Sequence, residues 1–216
     1  GGGGSDGTPG SSGGSGATPD TTPTPAITFE LVWADEFDEN SPPNAGKWTY
    51  DTGYGDSGWG NKEWQLYTSS EDNVHVENGN LVITADCPSG SCGDKDDSIT
   101  SGRIKTQGKF SIKHGKVQAR IKPPSGSQTW SAFWMLGDNF DLVGWPRSGE
   151  IDIMEMHYKY SDTTKNQSAM HWYDDNAGES TMDYAATLPF TPPLTDDFHL
   201  YEVEWDENRA IFRVDD

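Results

Sequence analysis

In GWPRSGEIDIMEMH, residues 144 to 157, a Trp-Pro turn leads into a segment where acidic and apolar side chains alternate. Successive side chains of a β-strand point to opposite faces, so Glu150 and Asp152 share one face while Ile151 and Ile153 point into a core. Strict alternation sends Glu155 to the side opposite Glu150. One extra residue near Ile153-Met154, a β-bulge, flips the phase and returns Glu155 to the acidic face. Three carboxylates then stand in a row.

Crowded like charges raise one another's pKa values, which is costly and also useful. Retaining glycoside hydrolysis needs one ionised carboxylate as nucleophile and one protonated carboxyl as acid. Along a strand the Cα atoms of Glu150 and Glu155 stand four steps apart once the bulge is counted, or ~13 Å at ~3.3 Å per residue. Side chains leaning together bring the carboxyls toward the ~5–5.5 Å that retention requires. Asp152 between them is placed to hydrogen-bond the nucleophile. The competing reading is a solvated acidic face on an edge strand, and the two inward isoleucines and the Trp-Pro turn speak against it.

Outward from this stretch the chain reads as strand after strand. In residues 116–122, KVQARIK, Val117, Ala119 and Ile121 alternate with Gln118, Arg120 and Lys122. Residues 73–85, NVHVENGNLVITA, read as a hairpin turning at Asn78-Gly79 or Gly79-Asn80, with Leu81, Ile83 and Ala85 on one face. Tyr201, Val203 and Trp205 alternate with Glu202 and Glu204. After the turn at 206–208, Ala210, Phe212 and Val214 alternate with Ile211 and Arg213. No window carries a helical apolar stripe of 12 residues, and no internal repeat is present. Many short strands punctuated by Gly, Pro, Asn and Asp mean an all-β sandwich or barrel.

The first 25 residues, GGGGSDGTPGSSGGSGATPDTTPTP, hold no Leu, Ile, Val or aromatic residue. Such a segment has nothing to offset the entropy of ordering and is expected to be a tether over residues 1–26. All nine Trp, eight Tyr and eight Phe lie in residues 27–216, the expected domain. Trp33 and Trp205 suit a core, while Trp59, Trp145 and Trp172 sit beside loop residues, where exposed indoles match the apolar faces of sugar rings. The net charge of −20 argues against nucleic acid and anionic membranes as partners. No apolar run approaches the ~18 residues of a membrane span. Cys87 and Cys92 flank Pro-Ser-Gly-Ser, a loop suited to a disulfide and an oxidising compartment, and no zinc-like spacing accompanies them.

Read together, these segments carry a resemblance. GEIDIMEMH resembles the active-site signature of glycoside hydrolase family 16 in its laminarinase-like form, which has the extra residue. LVWADEFDE, GWGNKEWQLYT, SGRIKTQGKFSIKHGKVQARIK, WSAFWMLG and FHLYEVEWDENRAIFRVDD are similar to family segments in the same order, over about residues 29 to 216. The resemblance implies a curved jelly-roll β-sandwich of two antiparallel sheets with substrate across its concave face. It implies Glu150 as nucleophile, Asp152 as the assisting aspartate and Glu155 as acid/base. Asn61, Arg103, Trp134, Trp145 and His171 match substrate-binding positions. Family domains usually continue for roughly fifty to seventy residues more, so the last C-terminal strands are expected to be missing. The family's calcium site uses an aspartate on a missing strand, so structural calcium is not supported by the residues present and no metal ligand is assigned. Residues 158 to 190 match poorly in length and composition.

The resulting expectation is endo-acting, retaining hydrolysis of β-1,3- or mixed-linkage β-glucan, with no cofactor required. Agarase or carrageenase activity is the nearest rival, and a non-catalytic glucan-binding module is the alternative from another class. The protein is expected to be secreted or cell-surface anchored, and a monomer when full length.

Overall fold

The structure, a computed structural model, describes residues 28–39, 41–88, 98–126, 128–157, 163–176 and 181–215. The chain divides between Glu30 and Leu31, and the second unit is the one described below. The expected tether lies outside the described residues. Cys87 is disulfide-bonded; its expected partner, Cys92, lies outside them as well.

Two antiparallel sheets form the body. The first runs β11-β10-β9-β8, from β8 (Trp130–Leu136), β9 (Glu150–His157), β10 (Lys165–Tyr173) and β11 (Thr181–Pro189). The second runs β13-β12-β7, from β7 (Gly115–Ile121), β12 (His199–Trp205) and β13 (Ala210–Val214). Short pairs flank them: β1 (Thr49–Tyr50) with β6 (Ile104–Lys105), β2 (Leu66–Tyr67) with β5 (Thr100–Ser101), and β3 (Val74–Glu77) with β4 (Asn80–Ile83). Among the described residues the one α-helix is the single turn α1 (Phe140–Val143), and no helix is long and apolar enough to cross a membrane.

The alternation in sequence becomes the core. Ile153 and Met154 of β9 pack with Tyr201 and Val203 of β12, all four at most 2 % exposed. Val117, Ile121, Phe133, Met135, Trp205, Phe212 and Val214 close around them. Burying each such side chain is worth about 1.5–3 kcal/mol, so this seam holds the two sheets together. Tyr201 opposes Val214, Val203 opposes Phe212 and Trp205 opposes Ala210, the pairing that the period of two required. The β3–β4 turn falls at Asn78-Gly79, where both residues take positive φ (52° and 73°), as a two-residue hairpin turn demands. Ile83, on the apolar side of that hairpin, remains 48 % exposed.

Glu202 and Glu204 alternate with the core residues of β12 and lie on its other face. Glu202 is only 6 % exposed and meets Lys116 at 3.1 Å, with Gln118 and Arg213 completing its shell. A carboxylate this buried persists because both of its oxygens meet a donor or a cation.

Candidate active site

The site grows out of a defect in the β8–β9–β10 ladder. Phe133 opposes Met154 and Trp134 opposes Asp152, so Ile153 is the extra residue against β8. Across β10 the same slip appears between Gln167 and Ala169, which oppose Glu155 and Asp152. Ile153 and Met154 are consecutive yet both buried in the core, which is what a bulge achieves. Beyond it the phase is inverted, and Glu155 lies on the face of Glu150 and Asp152.

Each carboxyl then has distinct neighbours. Glu150 opposes Leu136 and His171, and it hydrogen-bonds Asp152 and the Trp145 side chain. Asp152 is 3 % exposed, with His171 Nε2 at 3.2 Å from its Oδ2. Glu155 accepts a hydrogen bond from Trp130 Nε1 at 2.8 Å and another from Gln167. Burial raises all three pKa values. For Asp152, burial and the charges of Glu150 and Glu155 push it up to about 9. Burial of Glu150 is opposed by nearby His171 and by the bonds from Asp152 and Trp145. Burial of Glu155 is opposed by the Trp130 bond, His171 and Gln167. Asp152 therefore retains its proton at neutral pH. The proton of Asp152 is shared toward Glu150 and leaves that oxygen an acceptor, while Glu155 sits in surroundings that favour its protonated form.

Glu150, Asp152 and His171 also place one metal-ligating atom each within 4.8 Å of one another. The donor types suit a cation, and Glu150 and Asp152 also share a hydrogen bond, so the two carboxyls form a proton-sharing pair.

The other expected residues fall in two groups. Trp145 and His171 adjoin the carboxyls, with ring centroids 6.1 Å apart. Trp134 opposes Asp152 across the ladder and carries the Arg103 guanidinium 4.8 Å above its ring. Trp59 lies against the same guanidinium, its ring centroid also at 4.8 Å, and Asp51 fixes its Nε at 3.0 Å. Asn61 is exposed on the turn Gly58–Lys62, its amide on Glu63 Oε1 at 3.1 Å. It shares that turn with Trp59, which lies against Arg103. That turn holds Ser57, Trp59 and Lys62 at positive φ, and Gly55 is required beneath it: a Cβ there would lie 2.4 Å from the Trp59 ring.

Several contributors were not anticipated. Trp130 and Gln167 touch Glu155, and Glu63 gathers Asn61, Gln65 and Tyr67 (hydroxyl at 2.9 Å) around one carboxylate. Two signals were available. Trp130 is four residues before Trp134, and Gln167 four before His171, so each pair shares a strand face.

Comparison with known proteins meets this geometry. The Glycosyl hydrolases family 16 profile matches residues 61–216. The chain belongs to that family. It is 36 % identical over 196 residues to a beta-glucanase of Rhodothermus marinus, covering 87 % of this chain and 63 % of that protein. It is 38 % identical over 183 residues to the clotting factor G alpha subunit of Tachypleus tridentatus, covering 83 % of this chain and 24 % of that one. Among solved structures, the laminarinase catalytic domain from Thermotoga maritima superposes with a TM-score of 0.70 at 38 % identity, covering 86 % of this chain and 74 % of that one. The chain thus spans less than two thirds of the length of the two relatives. The all-β fold expected from the strand pattern, and the jelly-roll sandwich that the family resemblance implied, agree with these neighbours.

Proposed function

We propose that this family 16 member is an endo-acting, retaining hydrolase of β-1,3- or mixed-linkage β-glucan. The observation that carries the reading is the bulge at Ile153, which puts Glu150, Asp152 and Glu155 on one sheet face. In this reading Glu150 attacks the anomeric carbon while Glu155 protonates the departing glycosidic oxygen. Water then hydrolyses the glycosyl-enzyme, with Glu155 accepting its proton. Asp152 holds Glu150 in orientation and carries the proton that keeps the pair from ionising twice. Trp145, Trp134, His171, Arg103 and Asn61 contact the sugars flanking the cut. The cycle draws on no cofactor or metal. Glucan substrates are favoured by the laminarinase and beta-glucanase neighbours, and an extracellular or cell-surface location by the disulfide-bonded Cys87.

The test is release of reducing ends from laminarin, lichenan, agarose and carrageenan. Turnover of laminarin or lichenan is expected, and it should fall by at least about a thousandfold in both Glu150→Gln and Glu155→Gln while glucan binding persists. Turnover confined to agarose or carrageenan would reassign the substrate. Near-normal rates in either variant would remove the catalytic assignment.

A further inference from the structure

The bulge that inverts the catalytic strand has to be held open, because a regular ladder is the alternative. Inserting Ile153 removes its carbonyl from the usual strand pairing, in a residue that is 1 % exposed. A buried carbonyl without a donor is costly. Here two side chains of β10 supply what the ladder cannot. Ser168 Oγ donates to Ile153 O at 2.9 Å, and Asn166 Nδ2 approaches the same oxygen at 3.4 Å and Ser168 Oγ at 3.1 Å. Both residues are nearly dry, Asn166 at 3 % and Ser168 at 7 % exposure. Asn166 Oδ1 finds no partner among the described residues. Turning the amide over would set that oxygen against Ile153 O, so the side chain stays aimed to donate at the cost of its own acceptor.

Ser168 sits opposite the slip, between the β10 positions that pair with Asp152 and Glu155, and Asn166 lies two residues before it on the same strand face. In the unslipped register the ladder would regain a regular pairing at Ile153, and Glu155 would turn toward the core, away from Glu150. Resting on the hydrolytic reading above, we propose that Ser168, backed by Asn166, is a positioning residue whose donors to the Ile153 carbonyl fix the bulged register and so hold Glu155 in place as acid. Neither side chain touches the reacting atoms. Their effect is confined to Glu155, because Glu150 and Asp152 precede the bulge.

That confinement makes the test specific. The value of kcat/KM reports formation of the glycosyl-enzyme, which needs the acid for a sugar leaving group but not for 2,4-dinitrophenolate. With the full chain, Ser168→Ala should lower kcat/KM on laminarin by about 30- to 100-fold, the scale of a small misplacement of a catalytic group. On a dinitrophenyl β-laminarioligosaccharide the loss should stay within about threefold. Ser168→Thr, which keeps the hydroxyl, should restore laminarin turnover to within about threefold. Asn166→Ala, which leaves the serine bond intact, should give a smaller loss with the same bias, and it carries the test if Ser168→Ala does not fold. Equal losses on both substrates in whichever variant folds would overturn the inference while leaving the hydrolytic reading standing. A parent chain idle on both substrates would remove that reading and this inference with it.

Discussion

Replacing Asp152 by asparagine should make the protein more stable. The carboxyl is 3 % exposed, and its pKa rises from an ordinary 3.8 to about 9 through burial and the charges of Glu150 and Glu155. At pH 7 the unfolded chain has lost this proton and the folded chain has kept it. Holding it across the three or so units from 3.8 to 7 costs roughly 4 kcal/mol at about 1.36 kcal/mol per unit. Glu150 and Glu155 share the same field and relax when one charge is removed, so about half of that, ~2 kcal/mol, should be recovered. For a chain of this size that is an increase in Tm of ~4–8 °C. The direction with pH is fixed: a folded pKa raised above the unfolded one gives stability that is lost as pH rises. The gap between Asp152→Asn and the parent should therefore be near zero at pH 4, widen through neutrality and level off near pH 9. Urea or thermal unfolding followed at pH 4, 6, 8 and 9 reads it directly. A gap of the same size at pH 4 and pH 8, or a variant less stable than the parent at pH 8, would refute the assignment of the buried proton. Activity should move the opposite way, because an amide can hydrogen-bond Glu150 but cannot exchange a proton with it.

Three further outcomes are expected. Trp130→Phe removes the indole N–H that stabilises ionised Glu155, so the basic limb of the pH–rate profile should move upward; an unmoved limb would show that Trp130 does not govern this carboxyl. Glu202→Gln breaks the buried contacts with Lys116 and Arg213 and should cost about 2 kcal/mol at pH 7. Burial works against Glu202 ionisation, but Lys116, Gln118 and Arg213 outweigh it and lower its pKa, so that loss should shrink in unfolding measured below about pH 4. Trp59→Ala uncovers one face of Arg103 and should raise KM for oligosaccharides severalfold with little change in kcat, the pattern of lost uniform binding.

The sheet core was legible because its code is local. Tyr201, Val203 and Trp205 against Val214, Phe212 and Ala210 follow from a period of two and a short turn, and the observed register adds nothing that alternation did not require. The bulge was legible for a related reason: three acids in EIDIMEM cannot share a face without one slip, so the residues announce the defect. The support of that slip was not legible. Ser168 and Asn166 lie on a strand whose register against β9 cannot be counted from sequence, since residues 158 to 190 match the family segments poorly in length and composition. The same holds for the Arg103 clamp. Its parts, Asp51, Trp59 and Trp134, come from three separate stretches, and only folding brings a turn with left-handed residues over a guanidinium.

These two kinds of residue also differ in what they cost. Core positions on β9 and β12 stabilise the fold directly, whereas the carboxyl row, the left-handed turn at 57–62 and the bulge each draw stability away from it. The fold tolerates the row because Ile153 and Met154, the two residues that make the slip, are themselves among the most buried side chains. Straightening the strand to relieve the carboxylates would pull one of them out of the seam with Tyr201 and Val203. The packing of the core and the crowding of Glu150, Asp152 and Glu155 are therefore coupled through two backbone positions. Substitutions at Ile153 or Met154 that keep volume should preserve the site, whereas those that shrink either residue should loosen Glu155 before they unfold the sheet.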